Sequence, residues 1–133
     1  MLFDAHTHIN ERSLSDKERA DFIKSVEDAG MDGAVDVGYD LESSALAAKH
    51  AEMYDWCYAA AGCHPHDADS FDEIQLEMIR GLALKKKVVA IGEIGLDFYR
   101  NLSDPEVQEY WFRRQIQLAN ELKMPIVIHE RDA

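Results

Sequence analysis

Residues 88–129 read VVAIGEIGLDFYRNLSDPEVQEYWFRRQIQLANELKMPIVIH, and this stretch decides the fold. Val88 to Gly95 is a short apolar, β-branched run punctuated by glycine, the composition of a buried strand. Ser103 and Glu106 stand in capping-box spacing with Pro105 in the first turn, so a helix opens there and runs through VQEYWFRRQIQLANEL. Pro125 then starts a second apolar run, Ile126-Val127-Ile128, which delivers His129 at its far end. Strand, helix and strand in this order imply a right-handed crossover between parallel neighbours.

The same rhythm extends back to the N-terminus and gives β-α-β-α-β-α-β-α-β, five parallel strands and four helices in a single α/β domain, residues 1–133. Strand one is Leu2 to His8. Helix one follows from about Asp16, with Ser15 and Glu18 in capping-box spacing, Phe22, Ile23 and Val26 on one face, and Gly30 as its stop. GAVDVG is strand two, Asp40 caps a helix reaching about Met53, and CYAAAGCH is strand three. Ser70 and Glu73 form a third capping box ahead of a helix with Phe71, Ile74, Met78, Ile79 and Leu82 at helical spacing. Ala5, Val35, Val37, Ala60, Ile91 and Val127 are candidates for the inward faces of the strands. His50, mid-helix among Ala47, Ala48 and Ala51, reads as a surface residue.

Bulk properties bound the function. The chain has 133 residues, 47% of them hydrophobic and 30% charged, the range of one globular domain with a sizeable core. No stretch reaches the ~18 apolar residues of a membrane span, and no basic and apolar leader opens the chain. Cys57 and Cys63 lack CxxC spacing and suit reduced, buried thiols, so a cytoplasmic setting is expected. With 26 acidic against 14 basic residues the net charge is −12. That field repels a nucleic-acid backbone, so a polyanion must be met by a local basic cluster or by bound cations.

The polar residues gather at one end of the sheet. His6 and His8, one residue apart at the end of strand one, point to the same side and can reach one cation. Glu93 ends strand four and His129 ends strand five, placing four candidate ligands at corresponding ends of three parallel strands. A lone glutamate after a strand is by default a surface carboxylate. Glu93, however, emerges from a buried run between Gly92 and Gly95, where a charge persists only when paired or metal-bound. A carboxylate able to bridge, with imidazoles around it, favours Zn²⁺, Mn²⁺ or another divalent transition metal.

FDAHTHIN (3–10), GCHPHDA (62–68), AIGEIGLDFYR (90–100) and FRRQIQLANELKMPIVIHERDA (112–133) together resemble the TatD-type metal-dependent deoxyribonucleases, amidohydrolase-like metallohydrolases on a (β/α)₈ barrel. The resemblance runs the length of the chain. It implies that His6, His8, Glu93 and His129 are metal ligands, with Glu93 the catalytic carboxylate that bridges up to two ions, Zn²⁺, Mg²⁺ or Mn²⁺. It also implies that His64, with His66 beside it, lies in the substrate cleft, and that Asp97, Tyr99 and Arg100 follow the ligand glutamate in a loop over the same face. On residue chemistry Tyr99 suits stacking on a base and Arg100 pairing with a phosphate. The alternatives are a histidine merely hydrogen-bonded in its turn for His64 and a solvated loop pair for Tyr99 and Arg100.

A barrel of this type takes ~250 residues and eight strands, so the expectation is a partial (β/α)₈ TIM-type barrel, the N-terminal portion of the pattern. The family's further histidine after strand six and aspartate after strand eight have no counterpart here. The chain alone is therefore expected to be inactive or nearly so. Its open edge is expected to recruit a second copy or the missing C-terminal segment. Two classes of function compete: a metal-dependent hydrolase of DNA phosphodiester bonds acting on single-stranded or frayed ends, and a catalytically silent half-barrel that binds metal or a partner. A related metallohydrolase acting on an ester such as aminoacyl-tRNA is a third reading, because ligands report the metal chemistry and not the substrate.

Overall fold

In a computed structural model, which describes residues 2–133, strand and helix alternate as the periodicity requires. The elements are β1 (Phe3–Thr7), α1 (Asp16–Asp28), β2 (Gly33–Val37), α2 (Leu41–Met53), β3 (Cys57–Ala61), a 3₁₀ segment (Pro65–Ser70), α3 (Glu73–Ala83), β4 (Val88–Asp97), α4 (Pro105–Leu122) and β5 (Ile126–Arg131). The strands lie in sequence order, β1-β2-β3-β4-β5, and every neighbouring pair is parallel. They form half of a (β/α)₈-type barrel. Consecutive parallel strands order themselves this way when each helix crosses on the same side. All strand C-terminal ends thus meet at one face, where loops carry the chemistry.

Each strand sorts its side chains to two faces. Ala59, Ala61, Ile91 and Ile94 point toward the helices and pack with Ala47, Leu76, Ile79, Trp111 and Leu118 in the main core. Val35, Val37, Ala60 and Ala90, with Tyr58 and Val127 against them, form a smaller cluster on the other face. Val35, Val37, Ala60 and Val127 therefore lie where the sequence suggested. Ile91 does not: the period of two gives the inner position to Ala90 and turns Ile91 to the helices. Ala5 is exposed, because β1 is an edge strand in which only Thr7 is buried. α1 buries no residue, and Leu2 and Phe3 are exposed.

Two helix starts differ from expectation. Asp72, not Ser70, caps α3 and accepts from Gln75 N–H, while Ser70 closes the 3₁₀ segment. Asp104, not Ser103, caps α4, since proline at the first helical position makes its predecessor the cap. Ser103 is instead buried, its hydroxyl accepting from Asp69 N–H and donating to the His66 carbonyl. His50 is a further correction: it is 4% exposed, facing β2 from α2. The box at Ser15 and the cap at Asp40 form as read, with Ser15 and Glu18 satisfying each other's backbone N–H; Asp40 also closes a box with Ser43. Among the described residues no helix is long and apolar enough to cross a membrane.

Candidate metal centre

β1 carries His6, and His8 lies one residue beyond its end. Their Nε2 atoms stand 3.2 Å apart, and each is 3.8 Å from Glu93 Oε2. The other carboxylate oxygen, Oε1, faces His129 Nδ1 at 3.6 Å. Glu93 is 8% exposed, reaching the cleft from the middle of β4. β5 brings His129 beside it because Gly95 and His129 are paired across the sheet. That approach needs glycine: Gly95 has φ +150°, and a Cβ there would meet the His129 carbonyl oxygen at 1.8 Å.

What lies behind each ring sets which nitrogen it offers. His8 Nδ1 donates to the Val37 carbonyl at 2.9 Å, so the neutral ring turns the Nε2 lone pair toward His6 and Glu93. His129 Nε2 donates to Asp97 Oδ2 at 2.9 Å and leaves the Nδ1 lone pair facing Glu93. A ring whose far nitrogen is tied to a carbonyl or carboxylate is the arrangement of a metal-binding histidine. The donor set, imidazole lone pairs on either side of one carboxylate, fits divalent cations.

His64, His66 and His129 form a second close group. In it His64 plays a different part. Its Nδ1 accepts from His66 N–H at 3.1 Å, so the neutral ring carries its proton on Nε2 and presents a donor, not a lone pair. Burial pushes its pKa down to about 3, with His66 and His129 adding to the effect. His64 therefore stays neutral and suits an oxygen acceptor in the cleft.

Asp97, expected in a loop over the substrate face, is enclosed. β4 runs two residues past Gly95 and carries Asp97 into the sheet, where it is fully buried. Burial pushes its carboxyl up, but hydrogen bonds from Arg100 N–H, His66 and His129 outweigh this and hold it well below the usual carboxylate range. Its carboxylate contacts are with those groups. Arg100 enters the site by its backbone N–H, while its side chain is exposed. Tyr99 is 67% exposed, with the Arg131 guanidinium 5.2 Å from its ring centre.

A cleft of about 480 Å³ adjoins the centre, lined in part by His8, Arg12, Tyr39, His64, His66 and Glu93. Sequence reasoning missed Arg12 and Tyr39. Arg12 Nε donates to the Tyr39 hydroxyl at 3.0 Å and pairs with Asp40, a contact across more than twenty residues that no local spacing announces. Below the centre lie Asn10, Asp36 and His50, also missed. Here a signal existed: Asp36 is a charge inside the apolar run GAVDVG, and such a charge needs a partner.

Comparisons with known proteins agree with this fold. The Bacillus subtilis metal-dependent hydrolase YabD, itself uncharacterized, is 41% identical over 133 residues, all of this chain and 52% of YabD. The Escherichia coli K12 protein named 3'-5' ssDNA/RNA exonuclease TatD is 41% identical over 132 residues, 99% of this chain and 50% of TatD. The crystal structure of YJJV, a TatD homolog from Escherichia coli K12, superposes with a TM-score of 0.84 at 29% identity, covering 98% of this chain and 51% of YJJV. The chain spans about half the length of the curated relatives it matches. Residues 3–133 match the family model described as TatD related DNase, and with that the chain belongs to the TatD-related DNase family.

Proposed function

We propose that the chain carries the metal-binding half of a hydrolase that cleaves phosphodiester bonds of nucleic acid, with single-stranded or frayed DNA ends as substrate. The observation that carries this reading is the split of Glu93: Oε2 faces His6 and His8, and Oε1 faces His129. One carboxylate shared between two imidazole sets suits two divalent ions, and the imidazoles favour Zn²⁺ or Mn²⁺ over Mg²⁺. Bound there, such ions supply Lewis acidity, polarising a phosphoryl oxygen and easing deprotonation of water.

Around them this chain's own residues take distinct parts. Glu93 is the catalytic carboxylate, common to both sides of the site. Asp97 keeps the proton of His129 on Nε2 and so keeps Nδ1 free. His64 donates from Nε2 to a phosphate oxygen in the cleft, and Arg100 and Tyr99 at the rim pair with a phosphate and stack on a base. Cations at this face also offset the −12 charge where a polyanion must approach. The buried thiols, Cys57 and Cys63, suit the cytoplasm.

Elemental analysis and oligonucleotide degradation test this together. A full-length form with both halves of the barrel should hold divalent metal and degrade single-stranded ends, with EDTA abolishing the activity, whereas this chain alone should bind metal and leave DNA nearly untouched. His6→Ala, Glu93→Ala and His129→Ala should each lose metal. Unchanged metal content in all three would overturn the centre, and cleavage of an aminoacyl ester with DNA untouched would overturn the substrate.

A further inference from the structure

We infer that the buried Asp36–His50 pair, acting through Asn10, is a positioning unit that holds His8 in the ring orientation and tautomer a metal needs. The inference rests on His8 being a ligand, and its test is built to fail separately from that assignment.

His8 needs an anchor because it lies just past the last residue of β1, where the sheet no longer holds the backbone. On the side away from His6 and Glu93 its ring is held by Nδ1 donating to the Val37 carbonyl at 2.9 Å. That carbonyl accepts a second bond, from Asn10 Nδ2 at 2.9 Å. Asn10 is in turn gripped by Asp36 Oδ1, which receives both its side-chain Nδ2 at 2.5 Å and its backbone N–H at 3.2 Å. The remaining Asp36 oxygen accepts from His50 Nδ1 at 2.8 Å. A chain of polar contacts thus runs from α2 through β2 to the segment that carries His8.

All three supporting residues are buried, Asp36 at 0%, Asn10 at 1% and His50 at 4% exposure, and Asp36 lies on the helix-facing side of β2. Stability alone does not explain them. Apolar side chains of similar size would fill this layer without desolvating a carboxylate and an imidazole. Among the described residues, moreover, Asn10 Oδ1 is the buried side-chain atom left with no hydrogen-bond partner. What the network does provide is a fixed carbonyl behind His8, and groups that orient a ligand histidine from behind govern metal affinity by 10–100-fold.

The test pairs two variants with three readouts. Asp36→Val/His50→Leu removes both partners at once, and Asp36→Asn keeps the side-chain size should the double variant fail to fold. Thermal midpoint establishes folding, calorimetry gives the Mn²⁺ dissociation constant, and ¹⁵N shifts of the His8 ring in the EDTA-treated protein report its tautomer. The expected result is a folded variant that binds Mn²⁺ 10–100-fold more weakly and whose His8 ring passes from the Nδ1–H form to a mixture. A folded variant with wild-type affinity and wild-type His8 signals would overturn the inference. If the wild-type protein takes up no metal, the metal reading fails on its own, and the His8 signals still decide whether the network fixes the ring.

Discussion

Replacing Gln108 by leucine should destabilise the fold far more than its small change in volume suggests. Gln108 is 1% exposed on the inner face of α4. Its Oε1 accepts from Asp97 N–H at 2.9 Å, and its Nε2 donates to the Ser103 carbonyl at 2.8 Å and the Asp97 carbonyl at 3.2 Å. Asp97 O keeps a second donor in Asn101 N–H. Leucine therefore strands two buried backbone groups, Asp97 N–H and Ser103 C=O. At ~1–3 kcal/mol for each buried group left unpaired, offset in part by the apolar area leucine adds, the net loss should be about 2–4 kcal/mol. That is a large part of the ~5–15 kcal/mol of a typical domain. Urea unfolding of Gln108→Leu beside wild type measures it, with exposed Glu109→Gln as a control expected within ~0.5 kcal/mol. A loss under about 1 kcal/mol would refute the reasoning, because it would show that Asp97 and Ser103 find other partners without Gln108.

His64 gives a pH dependence with a definite sign. Its pKa falls from 6.5 to about 3 on folding, so between those values the unfolded chain binds the extra proton and stability rises with pH. EDTA-treated protein should lose about 2 kcal/mol of unfolding free energy from pH 8 to pH 5 through this residue, and His64→Gln should remove that share; an unchanged pH slope in the variant would contradict it. Gly95→Ala should displace β5 at His129, costing more than about 2 kcal/mol in stability and most of the metal affinity, as unfolding curves and calorimetry would show. Burial pushes the Cys57 thiol up to about 12 and raises Cys63 as well. Iodoacetamide at pH 8 should therefore label neither thiol in the native protein and both after unfolding, read by mass spectrometry.

The strand and helix order was legible because each element carries its own signal: a β-branched run, a cap, a proline or glycine stop. Boundaries were less so. The cap of α4 was misplaced by one residue because Ser103 and Glu106 mimic a capping box while Pro105 dictates the true cap. The end of β4 was set at Gly95 because glycine usually punctuates a strand; here it is the residue that lets β5 pass close, and the strand continues. That shift of two residues changes the part of Asp97 from substrate contact to support for His66 and His129. His6, His8, Glu93 and His129 could be named because each was read at the end of an apolar run; Glu93 in fact sits mid-strand in β4, and the parallel alignment still brings it to the other three. Asn10, Asp36 and His50 could not be assembled, since their contacts span separate elements and helical spacing alone put His50 at the surface.

The central claim is that Glu93 is shared between two cation sites. Anomalous diffraction from crystals soaked in Mn²⁺ tests it most directly. The account predicts two anomalous peaks on either side of the Glu93 carboxylate, one beside His6 and His8 and the other beside His129. Manganese bound among His64, His66 and His129 with none at Glu93 would contradict it.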